Sequence, residues 1–279
     1  MKLRTLALAL AAFGCMGATQ AATLNTTGAG DGVLQNFTGI DWHANGGAWI
    51  RGYDLNVGAV AGSVDTFTLD YQGFAGVINS TSLTPNLRVG AAGPGAGTYE
   101  LTVYSTLNET AVCTAASAGV CTSANFITNS GTWDVYLDFT PDANQAAGAG
   151  FKDGVKILSG IWTSGIASFL ATGGAVTPGS FGTGGGFLDG SVTYTNNTYI
   201  NPDLLLTSIQ TSLQFPGQPN VFTRPAAFDG AATGPNTNTQ FVLQADASQT
   251  FTHDVPEPAS LLLAGIGLIG MGVASRRKS

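Results

Sequence analysis

The sequence predicts an all-β body, an antiparallel β-sandwich or jelly-roll-like domain, with an N-terminal signal helix and a C-terminal hydrophobic helix. Three observations carry this. Apolar residues between the two ends recur at every second position rather than every third or fourth, the pattern of a strand with one buried face. Turn-rich Gly, Asn, Ser and Pro segments separate those stretches, and no long amphipathic helix lies between them, which disfavours a parallel α/β fold.

Met1 to Ala22 has Lys2 and Arg4, an apolar core from Leu6 to Phe13 and small residues at Thr19 and Ala21, the layout of a secretory signal peptide. Cys15 leaves a lipoprotein signal as the alternative. The exported β-rich domain then spans 23–254. Thr23 to Gly47 reads as a loose entry with one edge strand near Val33 to Ile40. Ala48 to Val57 and Asp65 to Tyr71 are strands, the second alternating Phe67, Leu69 and Tyr71 against Thr66, Thr68 and Asp70. Gly97 to Leu107 repeats the pattern. Thr132 to Thr140 places Trp133, Val135, Leu137 and Phe139 on a buried face and Asp134, Tyr136 and Asp138 on a solvated one. After Pro141 comes a polar loop, then a strand at Gly154 to Ser164. Gly173 to Gly186 reads as a glycine-dense loop too poor in side chains to pack. Strands follow at Gly190 to Thr195 and Asp203 to Phe215, where Leu204 to Leu206 could instead open a short helix; Phe215 to Gly234 is a surface loop and Thr239 to Asp246 the last strand.

The tail, 255–279, has three parts. Pro256 and Pro258 hold Val255-Pro256-Glu257-Pro258 extended. Ala259 to Ala274 is apolar or small apart from Ser260, enough for a transmembrane helix of about 24 Å against a hydrocarbon core of about 30 Å. Arg276, Arg277 and Lys278 then form a basic stop signal that stays cytoplasmic. This order resembles the PEP-CTERM sorting signal. The resemblance implies recognition of Val255 to Pro258 by exosortase, an integral-membrane cysteine transpeptidase, and removal of the helix. With signal peptidase acting at the other end, the precursor is anchored in the inner membrane transiently and its body goes to the cell surface or extracellular matrix.

Without its terminal segments the body keeps five cations against sixteen acids, a net charge of −11. That number of scattered cations builds no basic patch, which excludes nucleic acid as a partner. Cys113 and Cys121 remain as an even pair, and an oxidising compartment predicts a disulfide there, contributing roughly 2 to 3 kcal/mol.

Little in the body points to chemistry. His43 and His253 sit at no ligand spacing, no Gly-x-Ser-x-Gly elbow is present, and Gly182 to Gly186 lack the Lys-Ser/Thr of a phosphate loop. No catalytic residue, resident metal or cofactor is assigned. Asp134 and Asp138 project from one side of a strand about 13 Å apart, too far for a glycosidase pair. Asp138, Asp142 and Asn144 offer oxygen donors for calcium around a turn, with solvated acids the plainer reading. Trp42, Trp49 and Tyr136 are candidates to stack on sugars if exposed. Gly131 to Asp138, followed by Asp153-Gly154-Val155 and Leu158-Ser159-Gly160, resembles the central strands of the flocculation-associated PEP-CTERM proteins. The expectation is a non-enzymatic surface or matrix protein that binds an exopolysaccharide matrix and supports flocculation or biofilm formation. The alternative is a carbohydrate-binding module or glycosidase on a jelly-roll scaffold.

Overall fold

The computed structural model describes residues 22–26, 32–82, 87–88, 97–172, 181–215 and 222–252. The sorting segment and nearly all of the signal segment, with the helices expected in them, lie outside the described residues. The described residues fall within one unit, Ala21–Thr252. Their strands are β1 (Thr23–Asn25), β2 (Val33–Leu34), β3 (Gly39–Trp42), β4 (Gly47–Arg51), β5 (Val64–Asn79), β6 (Glu100–Ser117), β7 (Val120–Asp138), β8 (Val155–Thr172), β9 (Phe181–Thr195), β10 (Ile200–Asn201), β11 (Ser208–Phe215), β12 (Ala227–Phe228), β13 (Ala231–Ala232), β14 (Gln240–Gln244) and β15 (Asp246–Thr252).

These strands close into a barrel. β3 and β4 lie end to end along one side of β5, and β15 and β14 lie end to end along β3 and β4, so each pair acts as one kinked strand. Eight antiparallel staves then follow one another in chain order, with β5 paired to β6 and β15 paired to both β11 and β3 to complete the ring. The sandwich or jelly roll expected from the sequence is therefore incorrect: the sheet closes on itself, which removes the free edges a sandwich leaves. The cause is strand length. β6, β7 and β8 run 18, 19 and 18 residues, because their Gly-, Asn- and Ser-rich halves continue the ladder where the sequence reads as turns.

Glycine supplies the space for the interior. A Cβ on Gly160 would lie 2.2 Å from the Trp133 ring, one on Gly131 2.8 Å from Trp162, and one on Gly182 2.0 Å from Phe169. Trp133 faces Gly160 across the β7–β8 ladder, and Trp162 faces Gly131 on one side and Gly190 on the other. Large rings thus fill a narrow barrel by lying over the bare backbone of the neighbouring strand. Gly182 to Gly186, expected in a loop, lie in the first half of β9, where Gly182 leaves room for the Phe169 ring and Gly184 and Gly186 for the backbone of β8.

Each end of the barrel is closed differently. Phe241, Tyr53, Phe67, Phe126, Phe169 and Phe215 form a chain of rings with centroids 5.4 to 6.5 Å apart, at the end where β4 leaves the wall and β5 enters it. At the other end, β1 pairs with β10 and β2, burying Leu24, Leu34 and Ile200. Outside the wall, residues 139–154 and 222–239 cover β4, β5 and the start of β6, with Phe228 on Trp49 and Phe151 with Phe74. Leu204 to Leu206 make no helix, and Leu206 has a φ of 64°. The outward positions of β6 from Thr106 to Thr114 alternate as Thr106, Asn108, Thr110, Val112 and Thr114, a mostly polar face, while Ile127, Ile166 and Phe187 stand exposed in register on β7, β8 and β9.

Candidate functional site

Three places in the barrel concentrate polar groups: a rim of acids, a histidine at a kink, and the interior. At the rim, Glu100 opens β6 and is 1% exposed. Its Oε2 accepts from Arg88 Nη1 at 2.8 Å, and its Oε1 accepts the N–H groups of Asp142 and Ala143, both at 2.8 Å. Carboxylate oxygens of Glu100, Asp138 and Asp142 lie within 4.8 Å of one another. Burial pushes the Glu100 carboxyl up, against the pull of the two N–H groups and Arg88. Desolvation, then Asp153 and Asp138, push Asp142 up.

The sequence grouped Asp138, Asp142 and Asn144 as calcium donors. The fold brings the two aspartates together but substitutes Glu100 for Asn144, whose Oδ1 accepts from Ala147 N at 3.0 Å. Arg88 already supplies the positive charge, and three donors occupy Glu100. The rim is a buried ion pair that fastens the 139–154 loop to the wall. Beside it, Gly148–Asp153 and the 229–230 turn enclose an open cleft of about 370 Å³, spanned by Lys152 Nζ to Asp229 Oδ2 at 2.6 Å.

His43 sits in the kink between β3 and β4. Its Nδ1 accepts from Asn45 N at 3.2 Å and its ring lies 5.0 Å from that of Phe74. Burial lowers its pKa, partly offset by Asp246, which the fold brings near, and by Asp41, two residues earlier in the chain. The geometry holds a neutral imidazole as part of the kink.

Inside the barrel is a cavity of about 30 Å³, lined from every stave. It has room for about two waters and is an order of magnitude below a ligand pocket of roughly 300 Å³. Glu109 of β6 reaches it, 4% exposed, and Thr128 Oγ1 donates to its Oε1 at 3.0 Å. Burial, against the Thr128 hydrogen bond, pushes this carboxyl up to about 7. Among the described residues, Tyr71 Oη, Trp133 Nε1, Thr211 Oγ1 and Gln249 Oε1, also on the lining, make no hydrogen bond. Sequence reasoning passed over Glu109, yet it lies in phase with Leu107 and Ala111, and an acid in the apolar phase of a strand is a readable signal.

Other expected residues fall into place without forming a site. Trp42, Trp49 and Tyr136 are 3%, 6% and 6% exposed, so none is a sugar-stacking platform. Tyr136 was expected on a solvated face, but Thr102 and Lys156 flank it across the ladders and it is buried. Asp134 accepts from Lys156 Nζ at 2.9 Å and Ser159 Oγ at 2.6 Å, away from the rim cluster. Cys113 and Cys121 are disulfide-bonded at the β6–β7 hairpin. His253, Val255 to Pro258 and Arg276 to Lys278 lie outside the described residues. No curated protein and no solved structure matches the chain. A family model does match residues 254–278, and its description is the PEP-CTERM protein-sorting motif.

Proposed function

We propose, on the premise that the chain is a PEP-CTERM protein exported as an exosortase substrate, that its barrel is a non-enzymatic matrix protein. It associates with exopolysaccharide outside the cell and supports flocculation or biofilm formation. Val255 to Pro258 is the processing site, Arg276 to Lys278 the stop signal, and signal peptidase removes 1–22.

The observation that carries this reading is the uncovered outer wall of β9, β11 and β15. Ser208 lies between Ser191 and Thr252, Gln210 between Asp189 and Thr250, and Ser212 beside Ser248, all in register on one face. This is a grid of hydroxyls and amides with the Asp189 and Asp246 carboxylates, and the exposed Phe187 ring stands beside Ser212. None of the five cations of the body stands on it. Such a face exchanges hydrogen bonds with water for hydrogen bonds with sugar hydroxyls at little cost, and presents nothing to phosphate. At the rim, Glu100 is held by Arg88 and two backbone N–H groups and Asp138 accepts from Thr140 N, an arrangement that favours a structural role over paired-carboxylate hydrolysis. A second reading, a carbohydrate-binding module, is favoured by the cleft at Gly148–Asp153, where Asp153, Lys152 and exposed peptide groups surround a space large enough for a sugar ring.

Deleting the gene tests the first reading: aggregation and retention of the extracellular polysaccharide should fall, and unchanged retention would sink it. The intact mass of the protein recovered outside the cell should lack 1–22 and Arg276 to Ser279. Asp229→Asn separates the two readings, since it weakens polysaccharide retention only if the cleft is the contact.

A further inference from the structure

Glu109 is an acid in the centre of a narrow apolar barrel. The cavity lining includes no Lys, Arg or His from β3, β4, β5, β7, β8, β9, β11 or β15, and Tyr71 of β5 is the other titratable side chain on it. An ionised carboxylate buried without a cation is strongly disfavoured, so burial favours the neutral form. A neutral carboxyl donates as well as accepts, and Thr128 serves only one of its oxygens. Four more polar atoms, on β5, β7, β11 and β15, border the same space without a partner among the described residues. Polar groups in this number around a cavity that admits a water are satisfied by water.

The wall beside Glu109 is also interrupted. Pairing between β7 and β8 passes from Ile127↔Ile166 directly to Gly131↔Trp162, skipping 128–130 on one strand and 163–165 on the other. Thr128, the donor to Glu109, lies in the skipped segment, and Asn129, Ser130, Thr163 and Ser164 around it are exposed. The ladder hydrogen bonds are thus missing at the place where Thr128, itself buried, stands between Glu109 and Gly165 of β8.

We propose that the barrel interior is a proton- and water-binding site, in which about two internal waters join the neutral Glu109 carboxyl to Tyr71, Trp133, Thr211 and Gln249, with exchange through the β7–β8 gap. The pKa near 7 against an ordinary 4.5 gives the sign. The folded barrel binds a proton that the unfolded chain releases. That stabilisation is fully present below pH 4.5 and is lost as pH rises through 7. From this group alone the unfolding equilibrium constant rises roughly 70-fold between pH 5 and pH 8.

The test is urea unfolding of the full chain at pH 5 and pH 8, with the carbon-13 titration of the Glu109 carboxyl followed by NMR. Wild type should lose stability toward pH 8, and Glu109→Gln should remove most of that dependence. Thr128→Val, which takes away the donor to the ionised form, should move the Glu109 midpoint higher still. A wild-type carboxyl titrating in the ordinary range would overturn the proposal even if Glu109→Gln does not fold. An equal pH dependence in Glu109→Gln would overturn it too. Water contact at the Trp133 indole N–H, read as an NMR cross-peak, should be present, and its absence would remove the hydrated part.

Discussion

The covered and uncovered sides of the barrel are made from the same alternating strands and solve different problems. On β4, β5 and the start of β6, the outward residues are Trp49, Asp70, Gln72, Phe74 and Thr102, all buried. Loops lie over them, so their polar groups need partners: Arg51 and Thr106 hold Asp70, and Ala227 O accepts from Gln72 Nε2. On β9, β11 and β15 the outward positions are mostly Ser, Thr and Gln that water satisfies, with Asp189, Asp246 and the exposed Phe187 among them. There the stability comes from the inner face, where β9 presents Gly182 and Gly190 to the Phe169 and Trp162 rings of β8, and Gly184 and Gly186 to its backbone. Whether a polar residue in a strand is a structural constraint or free surface depends on what lies over the sheet.

Four substitutions sharpen this contrast. Trp133→Ala empties the glycine-lined side and should cost about 4 kcal/mol, measured as the shift in urea midpoint. On the covered side, Arg88→Met leaves Glu100 buried without its cation and should cost about 3 kcal/mol; a loss below about 1 would mean that the backbone N–H groups of Asp142 and Ala143 suffice. Replacing Cys113 and Cys121 together with Ser should cost roughly 2 to 3 kcal/mol, and reduction of wild type should cost the same. Ser212→Ala, on the uncovered face, should stay within about 0.5 kcal/mol; a larger loss would show that something covers this wall in solution.

The inward phase of the strands was readable because burial repeats every two residues: Trp133, Val135 and Leu137 are inside, as their alternation requires. Strand length was not. Thr106 to Ser117 and Val120 to Gly131 carry small and polar residues whose local preference is for turns, and only pairing with long neighbours keeps them extended. The rim acids were half legible, since Asp138 and Asp142 flank a turn, while Glu100 arrives from a strand about forty residues earlier in the chain. Trp42 and Trp49 suggested sugar platforms, but nothing local distinguishes a ring on a bare sheet from one under a loop.

By itself the sequence determined the all-β class, the disulfide partners, the absence of a basic surface and the sorting motif at the end of the chain. These depend on periodicity, composition and contiguous order, which short-range physics controls. Only the tertiary structure decided that the sheet closes, which polar residues are buried and where Glu109 resides. Closure depends on rings of one strand meeting glycines of the next, and those partners are 27 residues or more apart for Trp133 and Gly160 or Trp162 and Gly190. Contacts at that separation exist only once the ring of staves is complete.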